Sequence, residues 1–149
     1  METIRGGKND CLCRIVRQAA RSLTNAYDKA LAPSGLRVTQ FTLLSVVANK
    51  SVASVTQLSE ILGLDQTTTT RNLSLLEDSG LLVRVPHHDP RVKLVKLTSK
   101  GKQKRQAALE CWQEVQEHIT SSLSEQEWKA FRDVLQKIET LASSADTGV

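Results

Sequence analysis

Aromatic residues are scarce in this chain: two Trp, two Phe and one Tyr in 149 residues, or 3% of the sequence. Proteins that grip single-stranded nucleic acid stack bases on aromatic platforms, and so few rings argue against that mode. Cysteine is equally sparse. Cys11, Cys13 and Cys111 are an odd number, and Cys11 and Cys13 stand too close in one helix to bridge each other easily. They do not form a disulfide framework, which points to a reducing cytoplasm. No apolar run approaches the roughly 18 residues of a membrane span. The opening METIRGGKND carries no apolar signal core, which argues against secretion.

Catalytic signatures are missing too. There is no nucleophile elbow, no phosphate-cradling glycine loop and no supported pair of carboxylates, so an enzyme is not expected. A thiol oxidoreductase built on Cys11-x-Cys13 would lack any surrounding redox fold. Cys111 and His118 share a helix face and His87 and His88 adjoin, but no compact ligand set emerges, and neither a metal nor another cofactor is expected.

What the chain does have is 40% apolar residues, enough for a core, and a polarised charge that a net value of +4 conceals. From Arg84 to Arg105 there are eight basic residues against one acid, Asp89, whereas from Glu110 onward eight acids face three bases. A compact basic region beside an acidic tail suggests a polyanion-binding face; a merely solvated basic surface is the competing reading.

Periodicity outlines the elements. Leu12, Ile15, Val16, Ala19, Leu23, Ala26, Tyr27 and Ala30 predict a long amphipathic helix over 11–31, with Asp10 as N-cap and Pro33-Ser34-Gly35 as its stop. A second helix is expected over about 39–48 with Phe41, Leu44, Val47 and Ala48. Ser54-x-x-Gln57 has capping-box spacing and opens a short helix with Leu58, Ile61 and Leu62 inward. Gly63 suits its C-terminal cap, and Asp65 caps the next helix after a three-residue turn, a helix-turn-helix. Leu82–Val85 and Val92–Leu97 read as a hairpin behind it. Two further helices follow, the last opened by a second capping box, Ser124-x-x-Glu127. The first helix alone would reach roughly 30 Å. Helices of that length at both chain ends cannot all bury their apolar faces on one small lobe, which predicts a homodimer interface built from both termini.

Residues 67–70 are four consecutive threonines at the start of the second helix of the helix-turn-helix. Thr is a mediocre helix former, so the run needs a reason. On a helical wheel Thr69, Leu73 and Leu76 point inward, Thr69 standing in for a valine, while Thr67, Arg71 and Ser74 lie opposite, with Thr68 and Thr70 on the flanks. Short hydroxyls near a helix N-terminus can bond phosphate oxygens, and their methyls can meet thymine methyls in a major groove. Arg71, one turn deeper, has the fork to reach guanine O6 and N7. On the hairpin, Asp89-Pro90-Arg91 precedes Lys93 and Lys96. An Arg held out on a loop can enter an A·T-rich minor groove, and Asp89 can orient it by a charge-assisted hydrogen bond.

The stretches LSEILGLDQTTTTRNLSLLEDSGLLVRV and HHDPRVKLVKLTSKG, with this order of elements, closely resemble the MarR family of bacterial winged helix-turn-helix regulators. The resemblance runs from CLCRIVRQAARSLTNAYDKALAPSGL to the terminal helix. It is most specific over Leu58–Arg71, Gly80-Leu81, Asp89-x-Arg91 and Leu97-Thr98-x-x-Gly101. It implies a mainly α fold with a small β-hairpin wing: a single MarR-type domain over 1–149, a winged lobe over 36–101, and dimerisation helices over 9–32 and 102–144. It further implies a homodimer on a double-stranded, pseudo-palindromic DNA operator, with Thr67, Thr68, Thr70 and Arg71 as recognition contacts in major grooves and Arg91, supported by Asp89, in minor grooves. Ser74 on the helix and Lys93 on the second strand join them as candidate DNA-binding residues. The expected role is a transcriptional repressor released by a small aromatic or phenolic effector or by cysteine oxidation. A winged-helix protein-interaction adaptor is the alternative.

One departure stands out. Family members often carry Gly-Leu-Thr-x-x-Gln where this chain has Gly35-Leu36-Arg37-x-x-Gln40. Arg37 cannot cap as Thr would, so the second helix is expected to start later, at Thr39. Cys13, with Cys11 beside it, occupies a position similar to the reactive cysteine of the peroxide-sensing OhrR branch, and a helix N-terminus near Lys8 and Arg14 favours thiolate. The tyrosines that support that cysteine elsewhere are missing from Val38-Thr39-Gln40-Phe41.

Overall fold

The computed structural model describes residues 11–145. Helix α1 spans Leu12–Leu31, with Cys11 as its extended N-cap residue. Asp10, expected as the cap, and Lys8 lie outside the described residues. The helix hands over to one 3-10 turn, Ala32–Ser34, closed by Gly35 at φ 71°. Buried Ser34 is fully used there: its hydroxyl donates to Leu31 O at 2.7 Å and accepts from Leu36 N–H at 3.2 Å.

Helix α2 spans Val38–Lys50, so it begins a residue before the expected Thr39 and ends two residues past Ala48. The early start has a tertiary cause. Asp28 of α1 accepts the Val38 N–H at 2.7 Å, and Gln40 reaches back to the Arg37 N–H at 3.0 Å. Strand β1 is only Ala53–Ser54, too short to leave a periodic trace in sequence. Helix α3 (Val55–Leu62) opens on the expected box, with Ser54 Oγ accepting from Gln57 N–H at 3.1 Å and Gln57 Oε1 from Ser54 N–H at 3.0 Å. Leu58 is buried, but Ile61, expected inward, is 50% exposed. Gly63 closes α3 at φ 62°, the left-handed cap that glycine adopts without a Cβ penalty.

Helix α4 (Gln66–Asp78) follows, then β2 (Leu82–Val85) and β3 (Leu94–Leu97). The second hairpin strand thus starts at Leu94 rather than Val92. The antiparallel sheet has the order β1-β3-β2, pairing Leu82 with Leu97 and Val85 with Leu94, and Ala53 with Val95. Its inner face joins the helices in one core: Leu31, Leu44, Val47, Leu58, Leu73, Val95 and Ala108 are fully buried.

Helix α5 (Ser99–Thr120) starts on a tight joint. Thr98 Oγ1 donates to Gly80 O at 2.7 Å and accepts from Gly101 N–H at 2.9 Å. A Cβ on Gly101 would stand 2.0 Å from Leu81 O, so glycine alone allows this approach. Inside α5 the chain divides into two compact units, the first ending at Trp112 and the second beginning at Gln113. The second unit holds the end of α5 and helix α6 (Glu125–Ala145). Its capping box is formed as expected, with Glu127 Oε2 accepting from Ser124 N–H at 2.9 Å and Ser124 Oγ from Glu127 N–H at 3.2 Å. Apolar side chains on α1 (Leu12, Ile15, Leu23) and on α6 (Trp128, Phe131, Val134, Leu141) remain exposed.

Candidate nucleic-acid interface

The four threonines have separate tasks. Asp65 caps α4: Oδ1 accepts from Thr68 N–H at 2.8 Å and Oδ2 from the Thr68 hydroxyl at 2.6 Å. Those two bonds, the hydroxyl's first, hold the Asp65 carboxyl below its ordinary range. Thr68 is half-buried, its hydroxyl proton committed to the cap. Thr69 is fully buried. It is more than a valine substitute, because its hydroxyl donates to Asp65 O at 3.0 Å and meets the Ser59 hydroxyl at 3.0 Å. Thr67 and Arg71 are exposed and Thr70 half-buried; with Gln66 they line a shallow concavity of about 460 Å³. Ser74 turns its hydroxyl onto its own helix, donating to Thr70 O at 3.0 Å.

The wing tip is organised around Asp89. Its Oδ1 accepts from Arg91 N–H at 2.9 Å and from Arg91 Nε at 3.2 Å, and its Oδ2 from Nη2 at 3.2 Å. This fork-on-carboxylate contact fixes a guanidinium whose side chain is 90% exposed. The Arg91 side chain, then its backbone N–H, holds the Asp89 carboxyl below its usual value. His87 Nδ1 accepts the Asp89 N–H at 3.1 Å, and the His87 and His88 rings lie tilted against each other at 32° with centroids 4.1 Å apart. At the base of the wing Arg84 grips both oxygens of the Glu77 carboxylate, tying β2 to α4. Arg84 is thus partly neutralised, and the basic character of the wing itself rests on Arg91, Lys93 and Lys96, all exposed.

Helix α4 and the wing share a second concavity of about 500 Å³, lined by Ser54, Thr56, Gln66, Thr70, Arg91 and Lys93 among others. Sequence reasoning missed Thr56 and Gln66. The Ser54-x-x-Gln57 box could have indicated Thr56, since it sets that residue in the first turn of α3. Two further concavities lie elsewhere among the described residues. One, of about 220 Å³ and mostly apolar, lies among Val38, Thr39, Thr42, Leu43, Leu62, Leu64 and Asn72. The other, about 550 Å³, is lined by Cys11, Cys13, Arg14, Arg17, Gln18 and Arg21, both thiols being free and exposed. Among the described residues no group of three or more His, Cys, Asp or Glu side chains could hold a metal ion. No helix among them is long and apolar enough to cross a membrane.

A helix-turn-helix followed directly by a two-stranded wing defines a winged helix-turn-helix protein. The sequence profile of the MarR family matches residues 34–91. The Mycobacterium tuberculosis transcriptional regulator MosR, solved in complex with DNA, is 36% identical with a TM-score of 0.82, over 91% of this chain and 98% of that one. A probable transcriptional regulator from Pseudomonas aeruginosa aligns at 25% identity and TM-score 0.78, over 89% of this chain and 99% of that one. A cysteine-to-serine mutant of Escherichia coli MarR, solved with operator DNA, has the same fold at 24% identity and TM-score 0.78, over 85% of this chain and 92% of that one. Comparison with curated proteins gives no match. The chain belongs to the MarR family of transcriptional regulators.

Proposed function

We propose that this protein is a cytoplasmic transcriptional repressor that binds a pseudo-palindromic double-stranded operator as a homodimer. The observation that carries the reading is that Thr70 of the recognition helix and Arg91 of the wing line one concavity. A helix in a major groove and a wing in the adjacent minor groove straddle one sugar-phosphate strand, and that concavity, with Thr56, Gln66 and Lys93 around it, has the donors to receive it. Thr67, Thr70 and Arg71 then read bases, Thr68 and Ser74 contribute methyl and methylene contact, and Arg91 enters the minor groove. The DNA complex of MosR supports the same use of this fold. Exposed apolar side chains on α1 and α6 support a second copy of the chain as the partner. An adaptor has no need of the Arg91 fork.

Binding of duplexes selected from a random pool, followed by fluorescence anisotropy at two salt concentrations, tests the reading. Selected sites should show two-fold symmetry with half-sites about one helical turn apart, and affinity should fall steeply with salt. Salt-insensitive or absent binding would favour the adaptor.

Release has two routes. The apolar concavity beside Asn72 has the size and lining for a small aromatic or phenolic ligand. Alternatively, the exposed Cys13 among Arg14, Arg17 and Arg21 suits oxidation. A peroxide would convert its thiolate to sulfenic acid with release of water or an alcohol, and a second thiol would then displace water to form a disulfide. Peroxide should release DNA from the wild type, reversibly with dithiothreitol, but not from Cys13→Ser. If both hold DNA under oxidant, release belongs to the ligand route.

A further inference from the structure

Ser59 and Thr69 are buried polar residues in the helix-turn-helix, one on each helix, and neither is an exposed surface residue. Burying a hydroxyl is costly unless it is hydrogen-bonded, and Ala or Val would fit these positions at no such cost. Both hydroxyls are engaged. The Ser59 hydroxyl lies 2.9 Å from Val55 O and 3.0 Å from Thr69 Oγ1, while the Thr69 hydroxyl donates to Asp65 O at 3.0 Å. With the Thr69 proton on Asp65 O, the link requires the Ser59 hydroxyl to donate to Thr69 Oγ1, so a chain of hydroxyls runs from Ser59 on α3 to the cap residue of α4 and crosses between the helices. On either side of Thr69 along the chain stand Thr68, which completes the Asp65 cap, and Thr70, which faces the shared concavity.

We propose that Ser59 and Thr69 are positioning residues: their hydroxyl contact sets how α4 is rotated and advanced on α3, and so where Thr70 and Arg71 meet base edges. This rests on the DNA-binding reading above. Apolar packing between two short helices is non-directional and tolerates small rotations, whereas a hydroxyl-to-hydroxyl contact near 3.0 Å does not. While the contact is made, the Ser59 proton lies on Thr69 Oγ1 and the Thr69 proton on Asp65 O; once it is broken, Ser59 can turn its proton to Val55 O, and Thr69 keeps Asp65 O. Breaking the contact therefore strands no buried donor. The pair contributes orientation more than stability.

The test separates the hydroxyl from the methyl of Thr69. Affinity is measured for a selected operator and for random duplex, alongside the melting temperature, for wild type, Thr69→Val, Thr69→Ser and Ser59→Ala. Thr69→Val keeps the shape and loses the hydroxyl. It should lower the ratio of specific to random affinity about fivefold to tenfold, the low end of one bidentate base contact, with little change in melting temperature. Ser59→Ala should lower the ratio to the same extent, and the double variant should lose no more than either single one. Thr69→Ser keeps the hydroxyl and loses a buried methyl, so it should melt lower yet retain the ratio. A wild-type ratio in both Thr69→Val and Ser59→Ala overturns the proposal, as does a ratio that falls with melting temperature across all variants. Failure of the wild type to bind any duplex would instead overturn the DNA-binding reading itself.

Discussion

Asp28, near the end of α1, accepts the Val38 N–H at 2.7 Å through one carboxylate oxygen and holds the Arg37 guanidinium at 3.1 Å through the other. The cap that Thr would provide at position 37 is supplied here by a neighbouring helix, and Arg37 becomes the partner of its capping residue. Asp28→Ala removes a half-buried cap and should destabilise the protein by about 0.5–2 kcal/mol. Asp28→Asn, which still accepts a hydrogen bond, should lose less. Urea unfolding of the three proteins checks this; equal midpoints for Ala and wild type would mean that Gln40 and solvent suffice at the α2 terminus.

The joint between the wing and α5 makes a sharper demand. A Cβ at Gly101 falls 2.0 Å from a backbone oxygen, that of Leu81, which cannot swing aside as a side chain can. Gly101→Ala must therefore shift α5 against residues 80–81 and strain the bonds of Thr98 to Gly80 and Gly101. We expect a loss of about 1–3 kcal/mol, the usual cost of overpacking. An unchanged urea midpoint would show that the helix start relaxes freely.

Residues 54–76 were legible in sequence because local chemistry writes itself there: a capping box at Ser54, glycine at 63, Asp65 as cap and Thr69, Leu73 and Leu76 inward all stand as read. What escaped was tertiary. Strand β1 exists because its two residues pair with β3, the cap of α2 comes from Asp28, and Ile61 is exposed although its spacing matches a buried face. At the site, Arg91 and Asp89 sit together as near neighbours on one tight turn. Thr56 and Gln66 reach the same concavity only through the α3–α4 crossing, and neither spacing nor composition announces that.

Acid should unpick the cap of α4. The Thr68 hydroxyl and N–H hold the Asp65 carboxyl below its ordinary value. A group whose folded pKa is depressed contributes stability that is fully present above its unfolded pKa and is lost as pH falls through that value to the folded one. The loss therefore begins near pH 4, about the ordinary aspartate value, and continues below it. Asn also caps helices well but does not titrate. Melting temperatures of wild type and Asp65→Asn should differ most near neutrality and converge in acid; parallel curves would mean that the cap bond is not what acid removes.

Arg71 and Arg91 carry the same charge but should fail differently when removed. Arg71 stands exposed on α4 beside Thr67 and Thr70, and in the proposed function its fork meets a guanine in the major groove. Arg91 is fixed by Asp89 on the wing, and in the proposed function it enters a minor groove, whose negative potential is greatest over A·T tracts. Arg71→Ala should cost about 1–3 kcal/mol on the selected operator and relax preference at one base pair per half-site. Arg91→Ala should weaken operators with A·T flanks more than those with G·C flanks, leaving the core preference intact. Lys93→Ala, as a backbone contact, should weaken all duplexes alike and reduce the salt dependence by about one unit of slope. Affinities of the three variants on operators with exchanged flanks and exchanged core bases distinguish the roles. If Arg71→Ala loses affinity equally on operator and random duplex, Arg71 holds a phosphate. If Arg91→Ala is indifferent to the flanks, the wing grips the backbone and does not enter the groove.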